Sequence, residues 1–119
     1  MKLLKLIPAA AIALTSFATL EAKAMKICVY NNASFSLRMT VSSGRSFKKS
    51  SYYPAGQTTC IKMSDVPVNV GDSYDVKYAD ISSTEGKYCA ENKTRQSSDS
   101  GTTKTYTVSG ISSNSSCEL

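Results

Sequence analysis

The clearest alternation in the chain runs over residues 34–41 (SFSLRMTV), where Phe35, Leu37, Met39 and Val41 interleave with Ser34, Ser36, Arg38 and Thr40. A period of two predicts a half-buried strand, one face on a core and one in water. Helical spacing would spread the same four apolar residues around a cylinder. Tyr74, Val76 and Tyr78 alternate with Asp75 and Lys77 and predict a second such strand. Residues 25–30 (MKICVY) are apolar on both faces, as a central strand would be. Asn31-Asn32-Ala33 then predicts a hairpin turn into residues 34–41, because asparagine tolerates left-handed backbone and caps turns with its own side chain.

Weaker signals fill the rest. Residues 47–53 read as an extended segment closed by Pro54-Ala55-Gly56, and residues 58–63 as a strand with Thr59, Ile61 and Met63 on one face. Val66, Val68 and Val70 flank Pro67, which confines that piece to an edge or a connector. Residues 87–91 predict a short strand, 92–102 a mobile loop, and 103–109 a last strand. Residues 111–119 read as a serine-rich tail that only Cys117 can tie down. About seven short strands between turn signals predict an all-β fold, a small antiparallel sandwich or barrel.

The first 24 residues follow another pattern. Lys2 and Lys5 precede a largely apolar run to Leu20, and Ala22-Lys23-Ala24 supplies the small residues of a cleavage site, so residues 1–24 read as a signal peptide. Fifteen residues interrupted by Pro8, Thr15 and Ser16 fall short of the roughly 18–20 that span a bilayer. A single domain, residues 25–119, remains, secreted or, in a bacterium, periplasmic. Removing Lys2, Lys5, Lys23 and Glu21 lowers the net charge from +5 to +3, so the basicity of the full chain belongs partly to the signal. That balance makes no case for nucleic acid as a partner.

Cysteine changes the picture most. Cys28, Cys60, Cys89 and Cys117 all follow the signal, and an even count in a small exported domain reads as two disulfides. Zinc is the poorer reading: spacings of 32, 29 and 28 residues hold no close ligand pair, and the chain has no histidine. Cys60 and Cys89 lie out of phase with the apolar residues beside them, which predicts peripheral bridges. Three pairings are possible, and Cys28–Cys60 with Cys89–Cys117 is the one favoured here.

Candidate chemistry is sparse. Without histidine there is no Ser-His-Asp or Cys-His pair, and oxidised cysteines are not nucleophiles. Carboxylate pairs such as Asp72 with Asp75, or Glu85 with Glu91, flank turns where solvated surface acids are the rule. An enzyme is not expected, nor a cofactor; a histidine-free hydrolase is the remotest alternative. Residues 44–53 (GRSFKKSSYY) are the most suggestive surface, with Arg45, Lys48 and Lys49 beside Phe47 and Tyr52. Basic and aromatic side chains together suit an anionic contact. An edge strand guarded by lysines, with Phe47 and Tyr53 in the core, gives the same pattern. The function expected is therefore a binding module for an extracellular or periplasmic protein, a glycan or an anionic membrane surface. A secreted membrane-active effector or toxin is the alternative. Asn32, Asn92 and Asn114 also head glycosylation acceptor triplets, relevant only in a eukaryotic host.

Overall fold

The computed structural model describes residues 25–83 and 85–119. In chain order the strands are β1 (Lys26–Ala33), β2 (Leu37–Ser43), β3 (Ser46–Lys49), β4 (Thr58–Lys62), β5 (Ser73–Asp80), β6 (Gly86–Thr94), β7 (Thr103–Ile111) and β8 (Asn114–Glu118). They form two four-stranded sheets, β4-β1-β7-β8 (sheet A) and β3-β2-β5-β6 (sheet B). The chain changes sheet four times, and single 3-10 turns at Met63–Asp65 and Ser97–Asp99 lie on two of those connections, β4–β5 and β6–β7. The proposed signal segment lies outside the described residues.

The alternation of β2 does what its pattern requires. Leu37, Met39 and Val41 are fully buried, with Phe35 just ahead of the strand, while Arg38 and Thr40 face outward. Tyr74, Val76 and Tyr78 bury the same face of β5, next to β2, and Ile27, Val29, Ile61, Tyr106 and Val108 meet them from sheet A. Val66 and Val68 close one end of this core from a connector, as Pro67 required, while Val70 stays exposed.

The expected hairpin between the first two strands does not form. β1 continues through Asn31 to Ala33 and pairs with β4 and, in parallel, with β7; β2 belongs to the other sheet. Asn31 is the physical reason. Its buried Oδ1 accepts from Ala33 N at 2.9 Å, a turn-like bond. Its Nδ2 donates to Phe35 O at 2.8 Å and Tyr53 O at 3.1 Å, so the corner bends between sheets rather than within one.

The serine-rich tail is likewise a strand. β8 pairs antiparallel with β7, and Ser115 and Cys117 lie opposite Gly110 and Val108 on the inner face. Gly110 permits the pairing: a side-chain carbon there would stand 2.3 Å from Asn114 O. Part of the expected loop after residue 91 is also ordered, as the end of β6 and the turn at Ser97–Asp99.

Both disulfides pair as favoured, Cys28–Cys60 and Cys89–Cys117. The first joins directly opposed residues of β1 and β4 on the outer face of sheet A. The second differs from a purely outside staple. A bulge in β6 turns Tyr88 outward and Ala90 inward, and Cys89 packs partly against the core, joining β6 to β8 across the gap between sheet edges. The opposite side is closed without a covalent bond: Tyr53 pairs its backbone with Leu37 and donates its buried hydroxyl to Val29 O at 2.8 Å.

Candidate ligand-binding face

Four strands build the outer face of sheet B. The register sets Lys49, Thr40, Lys77 and Tyr88 in one row across β3, β2, β5 and β6. Phe47, Ser42 and Asp75 form the next row, and Arg38 with Ala79 and Gly86 a third. Three cations on this face rest on aromatic rings. The Arg38 guanidinium lies 4.7 Å from the centre of Tyr52, the Lys49 ammonium 5.4 Å from Phe47, and the Lys77 ammonium 4.6 Å from Tyr88. Each such contact contributes about 0.5–1 kcal/mol at an exposed site and limits where the charged head wanders.

Between these groups runs a shallow groove of about 370 Å³. Arg38, Lys49 and Lys77 supply its charge, Thr40, Ser42, Ala79 and Gly86 its small floor, and no carboxylate lines it. Asp75 lies two positions along β5 from Lys77, and its Oδ1 accepts from Asn92 N at 2.6 Å in the β6 bulge. An ion pair, Lys104–Asp99 at 3.4 Å, lies away from this face, between β7 and the Ser97–Asp99 turn.

Of the surface singled out in the sequence, Phe47, Lys49 and Tyr52 contribute to this face. Phe47 is 60% exposed, so it is not a core residue; Tyr53 is. Lys48 pairs with Val41 and so points to the other side of β3, and Arg45 occupies the β2–β3 turn. Arg38, Lys77 and Tyr88 were not anticipated. Their signal was present: Arg38 and Lys77 occupy polar-phase positions of the two best-patterned strands, and both strands lie in one sheet.

A second concavity, about 210 Å³, opens between the sheets near the ends of β5 and β7, lined by Tyr78, Asp80, Lys87, Ser112 and Ser115 among others. Five of its polar side chains are bonded to one another in two groups. Ser112 Oγ donates to Asp80, whose other oxygen accepts from Ser82 N at 3.0 Å. These bonds, Ser112 first, hold the Asp80 carboxyl below its usual 3.8. Ser115 Oγ lies 2.7 Å from the Tyr78 hydroxyl and accepts from Lys87 Nζ at 3.2 Å. A lysine activates a serine when its amine is desolvated; Lys87 is exposed. Of the carboxylates weighed as acid–base pairs, Asp72 accepts from Asn69 N at 3.0 Å and Asp75 from Asn92 N, while Glu85 and Glu91 are exposed. Asn32, Asn92 and Asn114 are all exposed.

No protein-family model matches the chain, and no curated protein is similar to it. Among solved structures, the membrane-binding domain of pneumolysin is similar, with a TM-score of 0.39 and 9% identity over 79% of this chain and 93% of that one. At that TM-score the likeness carries no argument about ligand or mode of action. Among the described residues, no helix is long and apolar enough to cross a membrane, and no cysteine is free.

Proposed function

We propose that this chain is an exported, disulfide-stapled binding module that captures an anionic ligand on the outer face of sheet B. One observation supports the reading above others: Arg38, Lys49 and Lys77 share a groove and rest on rings, with no carboxylate in the lining. A cation already paired with a carboxylate must give up that partner to bind a ligand. A cation held over a ring keeps its charge available and is partly preorganised. Two disulfides accord with an oxidising compartment outside the cytoplasm. The role is one of recognition, without catalysis.

The test is titration of the oxidised protein with a sulfated polysaccharide and with anionic vesicles at low salt. At least one should bind, with affinity falling as salt rises. Replacing Arg38, Lys49 and Lys77 together by alanine should weaken that binding at least tenfold, while Arg45→Ala with Lys48→Ala should change it little. Wild-type affinity in the triple variant would refute the assignment. The membrane-active alternative draws on Ile81 and Ile111, which are 58% and 56% exposed at the end where the Ser112–Asp80 bond joins two turns. It requires dye release from vesicles, abolished by Ile81→Ser with Ile111→Ser.

A further inference from the structure

We infer that the ligand of this face is a linear acidic polysaccharide lying across the strands in the groove, a step that rests on the anionic-ligand reading above. The first reason is shape. Thr40, Ser42, Ala79 and Gly86 make a low floor, with the cations and Phe47 standing at its margins. A trough of this form receives a chain. A bilayer instead asks for side chains that project about 5–10 Å into the headgroup layer. The exposed aliphatic residues Val70, Ile81, Ile111 and Leu119 do not line the groove, and each ring on the face already has a cation against it.

The second reason is spacing. Lys49 and Lys77 stand in one row, separated by the β2 residue Thr40, so their backbones are about 10 Å apart at the usual strand spacing. Two cations anchored on either side of a hydroxyl suit a polymer that alternates acidic groups and hydroxyls along its length. Charge on the ligand meets the lysines, sugar hydroxyls meet Thr40 and Ser42, and apolar sugar faces meet the free sides of Phe47 and Tyr88.

The third reason is what the floor withholds. β2 and β5 are interior strands whose backbone groups are consumed in the ladders on both sides. An acidic peptide lying across them finds no partner for its amides, and docks by preference on a strand edge. Single-stranded nucleic acid also pairs a basic groove with stacking on aromatic rings, and it is the competing occupant that the titration below separates from a glycan.

The experiment is calorimetric titration of the oxidised protein with size-fractionated heparin, with alginate, with phosphatidylglycerol vesicles and with an oligothymidylate, all at one low salt concentration. Saturable binding to the polysaccharides, stronger for longer fragments than for disaccharides and absent with vesicles and oligonucleotide, is the expected result. Thr40→Asp sets a carboxylate between the two lysines at a half-exposed position and should weaken glycan binding by tenfold or more while leaving the far-ultraviolet spectrum unchanged. Binding to vesicles or oligonucleotide as tight as to the glycans, or unchanged glycan affinity in the folded Thr40→Asp variant, overturns the inference and leaves the anionic-ligand reading standing. Failure of every anion to bind overturns both.

Discussion

Asn31 shows how one buried amide can direct the path of a chain. Its side chain makes three buried bonds, to Ala33, Phe35 and Tyr53, while its backbone pairs with Gln57 and Gly56. Asn31→Ala leaves two carbonyls and one amide without these partners and should cost about 2–4 kcal/mol, read as a lower denaturation midpoint in urea. The composition of Asn31-Asn32-Ala33 announced a bend; that the amide would also reach Tyr53, 22 positions away, was not legible. Tyrosine burial sets a second expectation. Burial, with smaller contributions from Tyr106 and Asp99, raises the Tyr74 phenol from 10.0 to about 12. Burial likewise pushes Tyr53 and Tyr106 upward. The folded chain thus favours the neutral phenols, whose contribution is complete below pH 10 and is lost as pH rises from there through the folded values. The part of the tyrosine ionisation that belongs to the buried phenols should therefore rise together with loss of tertiary signal above pH 10 at equilibrium, and ionisation of Tyr74 with the tertiary signal intact would contradict this.

At the scale of elements, legibility followed pattern strength. β2 and β5 were readable because one face of each is buried by neighbours on the opposing sheet, which forces strict alternation. β8 was not readable. Its inward positions are Ser115 and Cys117, so a disulfide and hydroxyl contacts do there what apolar side chains do elsewhere. The β6 bulge shifted the phase of Tyr88, Cys89 and Ala90, and a bulge leaves no mark in a short apolar run. If β8 is held chiefly by its bridge, Cys89→Ser with Cys117→Ser should remove about 3–4 kcal/mol, the chain-entropy value for a loop near 30 residues. Hydrogen exchange should then quicken first in β8, before β1 or β7; uniform protection would refute the idea.

Across the whole molecule, the two faces diverge in chemistry. Sheet A shows a hydroxyl-rich outer surface around Cys28–Cys60, with Thr103, Thr105 and Thr107 along β7, and sheet B shows cations on rings. A local reading found half of the sheet B face because Phe47, Lys49 and Tyr52 are close in sequence. Arg38, Lys77 and Tyr88 join them only through the order β3-β2-β5-β6, which the sequence does not state.

The two bridges also determine how the protein responds to tension. Cys28 and Cys117 lie near the two ends of the described chain, and each is tied to a partner well inside it. A force applied between the termini therefore bypasses residues 29–59 and 90–116. Besides the end segments, it can draw out only residues 61–88, a contour of roughly 90–100 Å at about 3.4 Å per residue. Single-molecule stretching should show that short release under oxidising conditions and a release about three times longer in reductant. Of the ligand-binding face, Arg38, Thr40 and Lys49 lie within the sheltered length, while Lys77 lies on the stretch that force draws out, so tension would take the groove apart at β5.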